Sequence, residues 1–265
     1  GLLWMSDSNT RVHPDTLTDL VEKLHEPGVG MVVSPLVSEG ARTPGARLDA
    51  LTIDLLVGLT TFSVYTLLGM VSTPGKSVLF RAETLAAVGG WDEVGRYFGE
   101  DIIFMEAVRA MGLRLALGSY SVANVTRSAS LARYRSRHLR WAQIRWRFSL
   151  FGAGFEPLLA PLVPAAVLAL AAPSRATLAM LALAFVEQVV LDLGVYRRVT
   201  GRWPAPAMLP WMLVRPFSAF YLTLRGVYAG RIEWRGNVLY MGARGRCQSE
   251  PPLAAFLRSL GPRSR

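Results

Sequence analysis

Three groups of side chains in this 265-residue chain have types and spacing suited to chemistry. The first is Ser6-Asp7-Ser8, at the end of a short apolar run, Gly1–Ser6, that reads as a buried strand. In open α/β sheets, ligands sit beyond the carboxyl ends of strands. An aspartate there can hold a divalent metal that neutralises a diphosphate, or it can simply end a turn or cap a helix. The second group is Gly99-Glu100-Asp101, directly before a helical pattern that ends at Met111 and Gly112. A carboxylate at a helix N-terminus caps it and suits its dipole. Beside an acceptor hydroxyl, the same carboxylate is a general base. The third is Arg133–Phe148, RYRSRHLRWAQIRWRF, with six arginines at 133, 135, 137, 140, 145 and 147. On a helix, Arg137, Arg140 and Trp141 fall within an arc of roughly 100°. Arginine forks bind phosphate oxygens in pairs. A tryptophan beside them packs on a sugar, a base or a lipid interface. A basic amphipathic helix on an anionic membrane has the same composition, and the two readings are compatible.

The elements that must position these groups alternate between strand and helix. Helical spacing over Pro14–Leu24 puts Leu17, Leu20, Val21 and Leu24 on one face, and Gly30–Pro35 is strand-like and rich in valine. Val78–Phe80 reads as a strand, Arg81–Val88 as a helix stopped by Gly89-Gly90, Asp101–Met111 as a helix and Leu113–Leu117 as a strand. This order predicts an α/β domain with a largely parallel sheet.

Composition changes near residue 150. Leu158–Ala172 and Thr177–Leu193 are almost wholly apolar, and with their flanks they approach the ~20 residues that cross a bilayer. Pro204–Tyr228 is also apolar but carries Pro210 and Arg215-Pro216. The expected organisation is therefore an α/β part over 1–150, a membrane region over 151–245 and a variable tail over 246–265. Charged residues are 18% of the chain and the net charge is +10, which points to an anionic membrane surface or a phosphorylated substrate. The apolar runs argue against nucleic acid as a partner. A single cysteine, Cys247, excludes a disulfide framework and a thiolate zinc site. The start, Gly1-Leu2-Leu3-Trp4, has no basic region of a signal peptide and reads as the interior of a strand, so the numbering is expected to begin inside a longer protein.

Taken in order, a strand-end aspartate, Glu100-Asp101 and then Arg137-x-x-Arg140-Trp141 resemble the membrane glycosyltransferases with a GT-A fold, a group that includes cellulose and hyaluronan synthases. Phe80-Arg81 through Gly89-Gly90-Trp91-Asp92 is similar to that family's acceptor-side helix and double-glycine turn. The nearest resemblance is to ceramide glucosyltransferases. It rests on Trp4-Met5-Ser6-Asp7-Ser8, Arg11-Val12 and Pro14-Asp15-Thr16-Leu17, then on Glu156-Pro157, Asp192 and Trp234-Arg235-Gly236. It extends to about residue 245.

The resemblance implies a metal or diphosphate role for Asp7, with Mg²⁺ or Mn²⁺ as cofactor. It implies Asp101 as catalytic base with Glu100 beside it, and Arg137, Arg140 and Trp141 as the motif that closes on diphosphate and acceptor. It further implies a nucleotide-binding half, with a first aspartate, that would precede Asp7. The reaction it implies is inverting transfer of a hexose, first of all glucose from UDP-glucose, to a lipid hydroxyl, with ceramide ahead of diacylglycerol or a hopanoid alcohol. A processive polysaccharide synthase is a rival that would need more spans. A transporter using Glu187, Asp192 and Arg215 would leave Asp101 and the Arg-Trp motif unexplained. Arginine-rich flanks place the catalytic side in the cytoplasm, and Ala and Arg richness suggests a bacterial inner membrane. A third crossing by Pro204–Tyr228 would break the charge rule, so that stretch is expected to be re-entrant or a broken interfacial helix.

Overall fold

The computed structural model describes residues 1–71, 74–148, 160–228, 230–234 and 237–249. Its centre is a mixed sheet with strand order β1-β5-β3-β6: β1 Leu2–Ser6, β5 Ser77–Arg81, β3 Val29–Val33 and β6 Arg114–Leu117. Period-two alternation divides the side chains of β5 between two faces. Leu79 joins Leu20 and Leu24 of helix α1 (Thr16–Leu24), together with Val32. Val78 and Phe80 join Met31, Phe104 and Val108 beneath helix α6 (Glu100–Ala110). The Phe80 and Phe104 rings stack with centroids 4.5 Å apart. Two short helices, α4 (Ala82–Ala87) and α5 (Gly90–Val94), connect β5 to α6. Between them Gly89 and Gly90 both hold positive φ, at 90° and 80°, which is the backbone turn that a double glycine permits.

The expectation of a largely parallel sheet is corrected. β1–β5 and β3–β5 are antiparallel, and only β3–β6 is parallel. The reason lies in the excursion between β3 and β5. The chain leaves β3 at Val33 and returns beside the same end, where the Ser34 amide donates to the Ser77 carbonyl at 2.9 Å. A strand that starts where its neighbour stops must run antiparallel to it.

A second sheet, in the order β2 (Thr10–Arg11), β7 (Val122–Val125), β4 (Leu36–Glu39), lies beyond this end. The excursion is a long helix, with α2 (Pro44–Leu51), a π-helical turn (Thr52–Val57) and α3 (Gly58–Leu68) following without a break. It is one of two helices among the described residues long and apolar enough to cross a membrane, at 25 residues and mean hydropathy 1.6. The other is Arg175–Thr200, called α9 below, at 26 residues and 1.9.

Helix α7 spans Leu131–Phe148. Of the expected first span, residues 158 and 159 lie outside the described residues. The rest forms the ten-residue helix α8, Leu162–Ala171. Ten residues reach about 15 Å, half the thickness of a hydrocarbon core. A capping box between Ser174 and Thr177 then starts α9.

The stretch expected to be broken is one continuous helix, α10, over Leu209–Tyr228. Pro210 falls in its first turn, where its missing N–H costs nothing, and only Pro216 lies inside the helix. Helix α10 packs closely along α7, and a Cβ added at Gly226 would meet Ala142 Cβ at 2.8 Å. A small antiparallel sheet follows, formed by β8 (Arg231–Trp234), β9 (Asn237–Met241) and β10 (Cys247–Gln248).

Candidate functional site

One rim of the central sheet gathers the carboxylates. Asp7 follows the last residue of β1, and its amide donates to the Lys76 carbonyl at 3.0 Å. The Lys76 ammonium donates to the Asp7 carboxylate. Asp101 reaches the same rim from the first turn of α6. Its Oδ2 accepts from the Gly75 amide at 2.8 Å and its Oδ1 from the Ile102 amide at 3.0 Å. The approach is tight, since a Cβ added at Gly75 would stand 2.4 Å from Asp101 Cβ.

Burial raises the Asp101 pKa above its ordinary 3.8. The Gly75 and Ile102 amides offset part of that rise, and the charge of Asp7 adds to it. Glu100, exposed at the surface, is raised too, first by desolvation from the protein around its carboxylate and then by the neighbouring Asp101 and by Asp7. On α7, Arg140 lies close enough to this group to feel the charge of Glu100, after that of its neighbour Arg137. Its guanidinium is half-buried and makes no hydrogen bond or ion pair with any described residue. The rim therefore holds three carboxylates, one ammonium already paired, and one guanidinium without a partner. A carboxylate with a raised pKa is a stronger base than an exposed one, and a free guanidinium beside it is a place for phosphate oxygens.

Arg137 and Trp141 are placed differently. Arg137 Nη1 lies 2.7 and 3.0 Å from the two oxygens of Asp49 on α2, a residue 2% exposed. Its Nη2 lies 3.4 Å from Asn124 Oδ1 on β7. His138 Nε2 shares Asp49 Oδ1 at 2.7 Å. The His138 pKa is lowered, mainly by burial, so the ring is neutral at neutral pH and donates to Asp49. The Arg137 guanidinium sits 4.6 Å above the Trp141 ring, and that ring packs against Ile53 and Leu36. Tyr134 extends the network to α10 through Ser218 Oγ at 2.9 Å. Of the Arg-x-x-Arg-Trp motif, then, Arg140 faces the carboxylate rim, whereas Arg137 and Trp141 fasten α7 to the long helix of residues 44–68.

Three residues of this neighbourhood escaped the sequence reading: Asp49, Lys76 and His138. Asp49 and Asp54 stand in the first part of an apolar helix, and that is a signal, because acids in such runs need partners. Asp54 has one in Ser38 of β4, whose amide donates to it at 2.7 Å.

Among the described residues, those at the rim do not by themselves form a metal centre. Among the described residues no three His, Cys, Asp or Glu side chains come together to hold an ion. The Asp7 carboxylate has Lys76 as its partner instead.

The model of the family described as Glycosyl transferase family 21 matches residues 1–247. Ceramide glucosyltransferase 1 of Caenorhabditis elegans is 21% identical over 260 residues, covering 94% of this chain and 54% of the relative. Ceramide glucosyltransferase 3 of the same organism is 21% identical over 257 residues, covering 92% of this chain and 55% of the relative. The chain thus spans about half the length of the curated relatives it matches.

Proposed function

This chain belongs to glycosyl transferase family 21, and we propose that at its natural length it is a membrane-embedded enzyme that moves a hexose from a nucleotide sugar to a lipid hydroxyl. Residues 1–150 are read as the acceptor side of a GT-A domain. Glucose is the first candidate sugar and ceramide the first candidate acceptor, on the strength of the relatives named above, and UDP is the first candidate carrier, as the sequence resemblance implies. The observation that carries the reading is the meeting of Asp7, Glu100, Asp101 and Arg140 at one strand-end rim, from three separate parts of the chain.

In this reaction the acceptor oxygen forms a bond to the anomeric carbon while the bond from that carbon to the diphosphate oxygen breaks. Attack from the opposite side inverts the centre. The hydroxyl proton passes to the Asp101 carboxylate, which the Gly75 and Ile102 amides hold in place. Arg140 faces the negative charge that collects on the departing diphosphate, as a preorganised donor. Arg137 and Trp141 act at one remove, by fixing the pitch of α7 through Asp49.

Two further observations support membrane embedding. Helix α9 is only 17% buried over its most apolar stretch. Its outward residues include Leu183 at 70% exposed and Val190 at 62%. The basic flanks at Arg133–Arg147 and at Arg197, Arg198 and Arg202 favour a cytoplasmic catalytic face.

The test is transfer of labelled hexose into a lipid fraction by the protein at its natural length. Asp101→Asn should lower turnover by ~10²–10⁴-fold with donor binding retained. Near-normal turnover in that variant would leave Asp101 a helix-terminal ligand of Gly75 and nothing more.

A further inference from the structure

One contact of the C-terminal sheet has no part in the reaction described above. Beyond β9 the chain turns tightly through residues 242–246, where the Gly242 amide donates to the Arg246 carbonyl at 2.8 Å. Arg244 and Gly245 both hold positive φ in this turn, at 50° and 75°. Residues 245–247 then lie beside residues 96–98, just ahead of Glu100 and Asp101 in the chain. The Phe98 amide donates to the Gly245 carbonyl at 2.9 Å, and the Cys247 amide donates to the Arg96 carbonyl at 2.6 Å. Between these bonds Tyr97 and Arg246 stand opposite each other as an antiparallel pair.

One ring at the end of α7 fills the corner. A Cβ added at Gly245 would stand 2.7 Å from Phe148 Cε2, and one added at Gly99 would stand 3.4 Å from the same atom. Two glycines thus let the chain close on this ring at both places. The Gly99 carbonyl accepts from the Ile102 and Ile103 amides at 3.1 and 3.2 Å, so this residue starts α6. The C-terminal sheet is itself tied to α7, because Gln143 Nε2 donates to the Arg231 carbonyl at 3.3 Å.

We infer that residues 245–247 are a fixed strap that sets the turn before α6 and so aims Asp101, with Gly245 as its positioning residue. The inference rests on the reading of Asp101 as the base. Backbone groups in a turn between elements need partners, and the Phe98 N–H and Arg96 carbonyl take theirs from the strap. Asp101 follows closely after Phe98, and its carboxylate is held on the Gly75 and Ile102 amides. A shift of the turn therefore moves the base relative to Gly75.

The experiment uses the protein at its natural length. Gly245→Ala puts a methyl against Phe148 at a φ that disfavours it. Amide exchange over residues 98–103 should quicken roughly tenfold. The kcat for hexose transfer should fall roughly tenfold or more while donor binding holds. Phe148→Leu in the same chain makes room for the methyl and should restore most of both. Normal exchange in Gly245→Ala, or fast exchange with normal kcat, overturns the inference. A second variant asks whether the strap stays seated. Tyr97 and Arg246 form a non-hydrogen-bonded pair, whose Cα atoms stand about 4.5 Å apart, within disulfide reach. Tyr97→Cys with Arg246→Cys, on a Cys247→Ser background, should turn over equally fast oxidised and reduced. Activity lost on oxidation and regained with reductant would mean that the segment must leave during turnover, and overturns a fixed strap. Exchange is read without turnover, so the two readings fail separately. No hexose transfer by the unaltered protein, with the exchange effect intact, would sink the functional reading and not the strap.

Discussion

Two arginines less than a turn apart on helix α7 meet opposite surroundings. Arg137 meets Asp49, with His138 on the same carboxylate, and both oxygens are used. Arg140, three residues on, lies near a rim of carboxylates and pairs with none of them among the described residues. The first cluster is closed and nearly balanced, as a buried ion pair must be to offset its desolvation. The second cluster is open, with Glu100 and Asp101 raised in pKa first by desolvation and then by neighbouring carboxylates. The difference teaches that a basic motif can divide its labour. One arginine holds the helix, and that hold aims the next arginine, less than a turn away, at the site.

Substitutions that treat the two clusters alike sharpen this comparison. The largest effect is expected at Arg140. Arg140→Lys keeps the charge and loses the planar fork, and removing one preorganised donor typically costs ~10²–10³-fold in kcat. Thermal stability measured alongside should hold, because no described residue depends on that guanidinium.

Next in size is Gly75→Ala. The new methyl must displace the Asp101 side chain, and a shift of about 1 Å at a reacting group can cost ~10²-fold. Steady-state kinetics would read this as a fall in kcat. Unchanged kinetics would mean that Asp101 has room to move and is not held for a purpose.

Arg137→Ala strikes the closed cluster. It leaves Asp49 buried with His138 alone, so about 3 kcal/mol of stability should go, read as a lower midpoint of thermal or denaturant unfolding. Activity per folded molecule should fall less than in Arg140→Lys, and the reverse order would break the division proposed here. Smallest are Arg133→Ala and Arg135→Ala. Both side chains are exposed, and surface changes of this kind stay within about 0.5 kcal/mol. If all four arginines were equally sensitive, a diffuse electrostatic surface would replace the two-cluster account.

Much of the positioning framework was legible in local pattern. β1, α1, β3, β5, α6 and β6 follow the alternation of short apolar runs and helical stripes, and the glycine pair at 89–90 marks its own turn. Strand direction was not legible. It depends on where the chain re-enters the sheet after residues 44–68, and no local period records that. The long helix itself was missed because Arg47, Asp49 and Asp54 interrupt its apolar run near the start. Those acids are satisfied only in three dimensions, by Arg137 and His138 and by Ser38. For the same reason the inward turn of Arg137 could not be read from its spacing to Trp141, since its partner lies 88 positions away. Asp192 and Arg215 stood out as charges in apolar runs, but only packing shows that they neutralise each other.

If Asp101 takes the acceptor proton, the pH dependence of kcat/KM must carry its titration. Burial raises the folded-state pKa of Asp101 above 3.8. A base works only when deprotonated, so activity should fall as pH drops through that raised value, with the acidic limb above the ordinary carboxylate range. The sign for stability is opposite. Charging Asp101 costs more in the folded protein than in the unfolded one, so its contribution weakens as pH rises from 3.8 through the raised value and is constant above it. The profile should be recorded for the natural-length protein and for Asp101→Asn. The account predicts an acidic limb in the first, and in the second a residual rate at least a hundredfold lower without that limb. The same limb at near-normal rate in Asp101→Asn would contradict it and assign the proton transfer to another group.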